Sequence, residues 1–408
     1  MKWILQNSVW RHRDLRIAAP ARAVSVLGDE IALIALMLRV HDTGGGARGI
    51  TLLLLAAALP TVLLAPWSGR LADRLDSRLL TVGSALAQAA ICAALAWAPH
   101  GWSTYPLVVA LQACNSVSSP TWSALLPRIA GEAETGRAIG ASQGLTTLAA
   151  VAGPALGGAL TGLGGARLPL LVDAGTFLAL AAAGAAVRTR RGGPTQTTAA
   201  RALDGLRIVR ADALLWPVFL TLLAYVLVGE ATNVAEIFLV RDTLDGTAAQ
   251  YGLVGMAVGA GIFVGSLLGG RARGSDRLIR AVVLSAVAQA VIIALAGLAP
   301  TVLVFAAAWL LLGLANGVLN TTLMTLTLTR VPDASRGQVI AALSGMSRAC
   351  SLGALGLGGL ALSLLGPRAV FVCSGILALL VAAWLAHRAS EVEIVVEEET
   401  PPMHVMGR

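Results

Sequence analysis

The segment 69–99 reads GRLADRLDSRLLTVGSALAQAAICAALAWAP, and the segment 270–300 reads GRARGSDRLIRAVVLSAVAQAVIIALAGLAP. A shift of 201 residues aligns the two segments without a gap. The same shift places Gly28-Asp29 on Gly229-Glu230 and Gly157-Gly158 on Gly358-Gly359. The chain is therefore a tandem repeat. Since both copies are almost wholly apolar, any central pathway would lie between the two halves, which points to transport.

Composition indicates a protein that is embedded in a membrane. The chain has 408 residues, of which 56% are hydrophobic and 13% are charged, whereas a soluble protein carries about 25% charged residues. Apolar runs of about 20 residues between short charged loops are typical of membrane spans, and such spans must be helical because the hydrocarbon core offers no water to the backbone. We predict twelve spans, at 15–40, 49–69, 79–98, 103–126, 138–162, 168–187, 213–240, 251–270, 278–298, 301–329, 338–365 and 369–387.

The predicted fold class is therefore an all-α integral membrane protein with twelve transmembrane helices in two parallel six-helix repeats. We expect an N-terminal bundle at 1–188, a cytoplasmic linker at 189–211, a second bundle at 212–388 and an acidic cytoplasmic tail at 389–408. The Gly, Pro and Thr residues of the linker indicate flexibility, with a short surface helix at 199–209. The five glutamates between Glu391 and Glu399 favour a disordered, solvated tail.

The distribution of basic residues predicts the topology. With the N-terminus placed inside, 23 of the 30 Lys and Arg residues fall on the inner side and five on the outer side. This bias follows the positive-inside rule and places both termini in the cytoplasm. The net charge of +8 is therefore a topology signal, and the basic residues form no continuous stripe that would bind nucleic acid.

Several functional classes find no support in the sequence. The four cysteines lie inside apolar spans, and no Cys or His pair has the spacing of metal ligands. No phosphate-binding Gly-x-x-x-x-Gly-Lys-Ser/Thr motif and no Ser/His/Asp set is present. We expect no enzymatic activity, no cofactor and no metal.

The loop after the second span carries the strongest motif, which includes Gly69, Asp73, Arg74 and Arg78. It resembles the Gly-x-Leu-Ala-Asp-Arg-x-Gly-Arg-Lys/Arg signature of the major facilitator superfamily, from which Asp76 and Ser77 depart. The resemblance implies a cytoplasmic latch in which the Asp meets the N-terminus of the eleventh helix, near Arg336-Gly337. A carboxylate there gains about 0.3–1 kcal/mol from the helix dipole. The alternative is a basic loop that only sets topology.

A second motif in the fifth span comprises Gly153, Pro154, Gly157 and Gly158. It resembles the Gly-x-x-x-Gly-Pro-x-x-Gly-Gly antiporter motif of exporters in this superfamily, with Ala149 in place of the first Gly. The alternative is ordinary packing of small residues, which let helix backbones touch. Leu27-Gly28-Asp29, Ala124-Leu125-Leu126-Pro127 and Tyr251-Gly252 are together similar to the macrolide-efflux and enterobactin-exporter branch.

Charged residues inside the spans are the candidates for proton coupling. A charge at mid-membrane costs about 2.5–3.5 kcal/mol on insertion scales and usually faces a cavity. The candidates are Asp29, Glu30, Glu230, Glu236, Arg22 and Arg348. Arg348 has no partner in its own helix, so we expect one of the four carboxylates to supply its counter-charge. The alternative is a set of structural ion pairs, such as Arg22 with Asp29.

Polar stripes occur on spans 1, 4, 7 and 10, which line the central cavity in the superfamily. The substrate-cavity candidates are Gln112, Asn115, Ser119, Asn233, Asn316 and Asn320. Together these features predict a monomeric transporter of the cell membrane that exports a medium-sized organic compound, such as a drug, a macrolide-like metabolite or a siderophore, in exchange for protons. The alternatives are a proton-coupled uptake symporter for a nutrient and a non-transporting receptor or scaffold on the same fold.

Overall fold

The protein is almost entirely helical. The computed structural model describes residues 9–65, 67–68, 71, 75–99, 101–189 and 202–399, and in these ranges it contains twelve long helices and no strand. The long helices are α1 (Arg13–Asp42), α2 (Gly46–Leu63), α3 (Ser77–Trp97), α4 (Thr104–Ala130), α5 (Thr135–Gly164), α6 (Arg167–Ala186), α7 (Leu215–Phe238), α8 (Ala248–Gly269), α9 (Ser275–Ala296), α10 (Val302–Arg330), α11 (Arg336–Leu365) and α12 (Pro367–Glu399). Helices α1–α6 form one bundle and α7–α12 the other, which confirms the predicted fold class.

The loops alternate between two faces of the molecule because each long helix crosses from one face to the other. One face holds the start of α1 and the segment between the bundles, and we call it the linker face. We call the other face the opposite face. A short helix, the linker helix (Ala202–Ala211), lies on the linker face, close to the predicted 199–209. It packs against α11: a Cβ on Gly205 would stand 2.2 Å from the carbonyl oxygen of Gln338.

Ten of the described long helices are long and apolar enough to cross a membrane. The other two, α1 and α4, are equally long but more polar: α1 contains Arg22, Asp29 and Glu30, and α4 contains Gln112 and Asn115. The chain is thus a multi-pass membrane protein. The sequence predicts polar stripes on four spans, and α1 and α4 are two of these four.

The repeat is visible in how the helices end. Helices α5 and α11 both stop at a glycine in the left-handed region, Gly165 with φ of 63° and Gly366 with φ of 78°, a conformation that L side chains rarely adopt. The arginines two residues later have matching roles: Arg167 donates to the carbonyl oxygen of Ala96 at 3.4 Å, and Arg368 donates to that of Gly297 at 3.1 Å. Each arginine therefore satisfies carbonyls at the end of the third helix of its own bundle.

Large apolar side chains fill the bundle interiors. Phe177 in the first bundle and Phe305 and Phe371 in the second are fully buried. The Phe305 ring stacks on Trp309 with centroids 4.3 Å apart and meets Phe371 edge to face at 5.6 Å, so that α10 and α12 are held together. Such aromatic pairs contribute about 0.5–1.5 kcal/mol beyond the burial of area.

The last helix differs from the prediction. The sequence predicts a final span that ends at 387 and a disordered tail after it, but the backbone of α12 is helical to Glu399. The expectation of disorder is therefore wrong for 391–399. The physical reason is that an existing helix serves as the nucleus, so each added residue gains one hydrogen bond without a new nucleation cost, and glutamate is a good helix former. Residues 400–408 lie outside the described residues.

Candidate functional site

A cavity of about 550 Å³ lies between the two bundles. Helix α4 supplies most of its polar lining, and α2 and α11 supply the rest; the lining residues are Thr61, Ala65, Ser68, Asn115, Ser116, Ser119, Pro120, Ser123 and Arg348. Ala65 and Ser68 follow the end of α2, so the cavity reaches the linker face. Its volume falls in the range of about 300–1,000 Å³ that is typical of sites for drug-sized ligands.

A second cavity of about 160 Å³ adjoins the first between α1, α4 and α5. The two cavities share Ser119 and Ser123 of α4, which lie one turn apart. Arg22 of α1 and Gln143 and Thr146 of α5 also line the second cavity. The two spaces together form one polar site that extends from mid-helix to the linker face.

Both predicted arginines line this site. Arg22 is half-buried, and its Nη1 is buried without a hydrogen-bond partner. Arg348 is exposed and is the residue that the second bundle contributes to the larger cavity. Among the described residues Arg348 makes no hydrogen bond or ion pair, so the expected counter-charge from a carboxylate is not seen in this conformation.

The two carboxylates of α1 differ in their surroundings. Asp29 and Glu30 are both half-buried, and in the part of the chain that the structure describes neither makes a hydrogen bond or an ion pair. Glu30 faces α5, where a Cβ on Gly153 would stand 2.4 Å from its own Cβ. Asp29 lies seven residues beyond Arg22, a rise of about 10 Å along the helix. The direct Arg22–Asp29 ion pair, one of the structural alternatives, is therefore not formed.

The carboxylates of α7 are tied to other helices of the second bundle. Glu230 accepts a hydrogen bond from Ser351 of α11. Glu236 accepts one from Trp309 Nε1 of α10 at 2.9 Å. Both are half-buried. The repeat partners Asp29 and Glu230 thus differ in surroundings, since only Glu230 has a hydrogen-bond partner here.

The predicted polar stripes separate into two groups. Asn115 and Ser119 line the larger cavity, whereas Gln112 accepts a hydrogen bond from Asn115 at 3.4 Å. The amides of α10 bind within the second bundle: Asn316 donates to Gln289 at 3.2 Å, and Asn320 donates to Asn316 Oδ1 at 2.8 Å. Asn233 is exposed on α7 and is not among the residues that line the two cavities.

The glycine-proline motif of α5 forms a seam on two sides. On one side Gly157 meets α1, where a Cβ would stand 2.9 Å from the carbonyl oxygen of Ile31. On the other side α5 meets α8 across the bundle interface. A Cβ on Gly158 would stand 2.4 Å from the carbonyl oxygen of Ala248, and one on Gly252 would stand 2.3 Å from that of Pro154. The motif therefore lets three helix backbones touch.

The α5–α8 seam lies toward the opposite face, and further contacts join the bundles there. His41 Nε2 lies 2.8 Å from Asp242, and Arg241 donates to Asp42 at 3.1 Å. Tyr251 donates to the sulfur of Met37 at 3.4 Å. On α11, Gly359 packs against Thr51 of α2. The bundles are thus closed together at the opposite face while the cavity reaches the linker face.

The predicted latch lies mostly outside the described residues. Gly69, Asp73 and Arg74 are not described, and the contact with α11 stays a prediction. Arg78 is described, and it donates to the carbonyl oxygen of Ala185 at the end of α6. Helix α11 begins at Arg336, where the sequence places the helix N-terminus that the latch Asp would meet. Arg336 Nη1 lies 2.6 Å from Asp333.

Sequence reasoning missed most of the small polar residues of the site. Ser116 and Ser123 belong to the same helix as the predicted Asn115 and Ser119, and Ser123 follows Ser119 at i+4. That spacing was a usable signal on α4. Thr61 lies on α2, Ser68 follows it, and Gln143 and Thr146 lie on α5. No polar stripe was assigned to these elements. The hydroxyls and amide of these residues carry no charge, so little distinguishes them from packing residues in the sequence.

A separate polar cluster fills the interior of the first bundle. Asp173 of α6 is fully buried and accepts hydrogen bonds from Cys92 Sγ at 3.1 Å and from Thr176 at 3.0 Å. A Cβ on Gly28 would stand 2.3 Å from Asp173 Oδ1, whereas the repeat partner Gly229 has open space beside it. A residue larger than glycine would therefore not fit at position 28, because α6 brings the Asp173 carboxylate against α1.

The sequence matches the model of the Major Facilitator Superfamily over residues 18–241 and again over 218–403. It is 25% identical over 381 residues to the uncharacterized MFS-type transporter YfiS of Bacillus subtilis (strain 168), covering 90% of this chain and 91% of that protein. The fold is similar to that of a POT family transporter in complex with a thioalcohol-conjugated peptide, with a TM-score of 0.73 at 12% identity over 93% of this chain and 96% of the other. It is also similar to a bacterial homologue of the human lysosomal transporter Spinster in an inward-facing, occupied conformation, with a TM-score of 0.68 at 14% identity over 93% and 97%.

Proposed function

Because the chain belongs to the major facilitator superfamily, we propose that it is a secondary transporter that exports a medium-sized organic compound in exchange for protons. The observation that carries this proposal is the half-buried Asp29 at the middle of α1, which has no hydrogen-bond or ion-pair partner among the described residues. Carboxylates inside membrane spans usually face a cavity and mark ion pathways or proton relays. Asp29 would gain or lose a proton when its surroundings change.

The transport cycle follows from the two contacts of α5. In this conformation the seam with α8 closes the opposite face, and the cavity reaches the linker face. Rocking of one bundle against the other would separate Gly158 from Gly252 and expose the site to the other side. Glu30 sits where α1 meets Gly153 of the same motif, so its surroundings would change in this step. Glu230 and Glu236 are the corresponding candidates in the second bundle.

We place the linker face in the cytoplasm and the protein in the plasma membrane, in agreement with the excess of Lys and Arg in the linker-face loops. In that orientation the structure is inward-open. We further propose that a latch of Gly69, Asp73, Arg74 and Arg78 favours the outward-open state and breaks on inward opening. The three short resemblances described above support a place in the macrolide-efflux and enterobactin-exporter branch, and nothing in the fold requires more than a monomer.

The test is transport in proteoliposomes with an imposed pH gradient and a panel of fluorescent dyes, macrolides and siderophores. We expect a compound to move opposite to protons and to stop moving when an uncoupler is added. Movement in the same direction as protons would show uptake instead. No gradient-dependent movement of any compound, together with ligand-induced stabilisation in a thermal shift assay, would favour the receptor alternative.

The role of Asp29 is tested by the variant Asp29→Asn, which keeps the size of the side chain and removes the titratable group. We expect proton-dependent export to be lost while the protein still folds and inserts. The matched control is Asp245→Asn, since Asp245 is an exposed acid in the loop before α8 with φ of 51°, a conformation that Asn tolerates. Export by Asp29→Asn at the control's level would refute the assignment.

A further inference from the structure

The two arginines of the site face the same space from opposite bundles. Arg22 lies on α1 in the first bundle, and Arg348 lies on α11 in the second. The cavities that they line share Ser119 and Ser123. A ligand that fills the shared space is therefore in reach of cationic groups from both bundles.

Neither guanidinium forms an ion pair among the described residues, although Asp29 lies near enough to Arg22 for a Coulombic attraction. Arg22 Nη1 is buried without a hydrogen-bond partner, and Arg348 makes no hydrogen bond or ion pair among the described residues. Arg348 lies about twelve residues into α11, a rise of about 18 Å, and it is exposed to the larger cavity. No Asp or Glu occurs among the described residues that line either cavity.

Unpaired cationic groups inside a membrane protein are costly unless an anion meets them. The guanidinium group presents a planar fork of N–H donors that matches a carboxylate, sulfonate or phosphate. The other lining groups, from Ser119, Ser123 and Asn115, are neutral donors that can bind the remaining anionic oxygens or hydroxyls of the same ligand. A cationic compound would instead meet two like charges with no carboxylate beside it.

We propose that the transported substrate is an organic anion whose acidic group is held by Arg22 and Arg348. This inference rests on the proposed transport function and adds the chemical class of the substrate. Of the compounds that the sequence suggests, it favours an acidic metabolite of the siderophore kind over a basic macrolide.

The experiment measures equilibrium binding to the purified protein in detergent, by titration calorimetry, with three matched probes. The probes are a coumarin carboxylate, its methyl ester and the analogue with an ammonium group in place of the carboxylate. We expect the carboxylate to bind at least about tenfold more tightly than the ester, and the ammonium analogue to bind weakest. Arg348→Gln and Arg22→Gln should each weaken carboxylate binding about 10- to 100-fold and leave ester binding unchanged, and Lys at position 348 should restore part of the affinity.

The matched control is Arg48→Gln, because Arg48 is an exposed arginine at the start of α2 on the opposite face. Equal binding of the carboxylate and the ester, tighter binding of the ammonium analogue, or an equal loss of all probes in Arg348→Gln would overturn the proposal. Binding needs neither a membrane nor a gradient. Selective anion binding without proton-driven transport would therefore refute only the transport proposal, and proton-driven export of cations alone would refute only the anion site.

Discussion

The α5–α8 seam brings backbones of the two bundles into contact near the opposite face, and adding one methyl group there should open that face. In Gly252→Ala the new Cβ would stand 2.3 Å from the carbonyl oxygen of Pro154 and 3.0 Å from the Cα of Gly158. An ordinary contact between carbon and oxygen is about 3.4 Å, so the helices must separate by about 1 Å. Strain of this kind costs about 1–3 kcal/mol.

That cost applies only while the seam is closed, because α5 and α8 part when the opposite face opens. The population ratio of the closed to the open conformer should therefore fall about 5- to 150-fold. The assay is pulsed electron–electron spin resonance between one label on each bundle, at Leu163 and Leu298. Both residues lie at the opposite face, and they are 83% and 62% exposed. Cys114, Cys350 and Cys373 are first replaced, and the buried Cys92 is kept.

We expect a longer label-to-label distance to gain population in Gly252→Ala. The matched control is Gly162→Ala, since Gly162 lies one turn beyond Gly158 on α5 and has no atom within 4 Å of an added Cβ. Both changes are from Gly to Ala in a helix, so their effects on helix propensity cancel in the comparison. If the two variants give the same distance distribution as the parent protein, the seam does not hold the opposite face closed.

Two further predictions concern charged contacts at the two faces. At a pH at which His41 is protonated, Asp242→Asn removes the charge of one of the two carboxylates that contact its ring. It should shift the same distance distribution toward the open form by about 1.4- to 5-fold, since exposed ion pairs contribute about 0.2–1 kcal/mol; a shift no larger than that of Asp245→Asn would contradict this role. At the linker face, burial raises the pKa of Asp14, but hydrogen bonds from Thr189 and Arg188 outweigh it and leave the pKa below its ordinary value. Asp14 therefore contributes stability that is present above about pH 3.9 and is lost as the pH falls through its lowered pKa. The apparent Tm of Asp14→Asn should be lower than that of the parent at pH 7, and the gap should shrink toward pH 3; a constant gap would show that the charge of Asp14 is not involved.

The proposed site illustrates which functional residues a sequence can reveal. Asp29, Glu30, Arg22 and Arg348 are candidates from the sequence because a charge inside an apolar run is expensive wherever it points. Their partners were not found. The prediction paired Arg348 with a carboxylate, but no carboxylate of the described residues reaches it, and Glu230 and Glu236 instead bind Ser351 and Trp309. Partner choice depends on helix rotation and tilt, which residue spacing does not specify.

The polar stripes show the same limit in neutral side chains. On the predicted stripe of α10, Asn316 donates to Gln289 of α9, and the exposed Asn320 donates to Asn316. Ser119 and Asn115, with similar spacing on α4, line the cavity. A polar face on a helix indicates that it avoids lipid, and only the neighbouring helices determine whether it meets a cavity or another amide.

By itself the sequence determined the class, the number of long helices and the internal repeat, because apolar length, helical period and identity between halves are local properties of the chain. It also indicated that α5 packs closely against other helices, since its motif is rich in glycine and small residues allow helix backbones to touch. Only the tertiary structure decided that Gly158 meets Gly252 and that Arg22 and Arg348 share one space. It also showed that His41 meets Asp242 so that the opposite face is closed. These features join residues about 100 to more than 300 positions apart, and they depend on how the two bundles are tilted against each other, which the local properties of the chain do not specify.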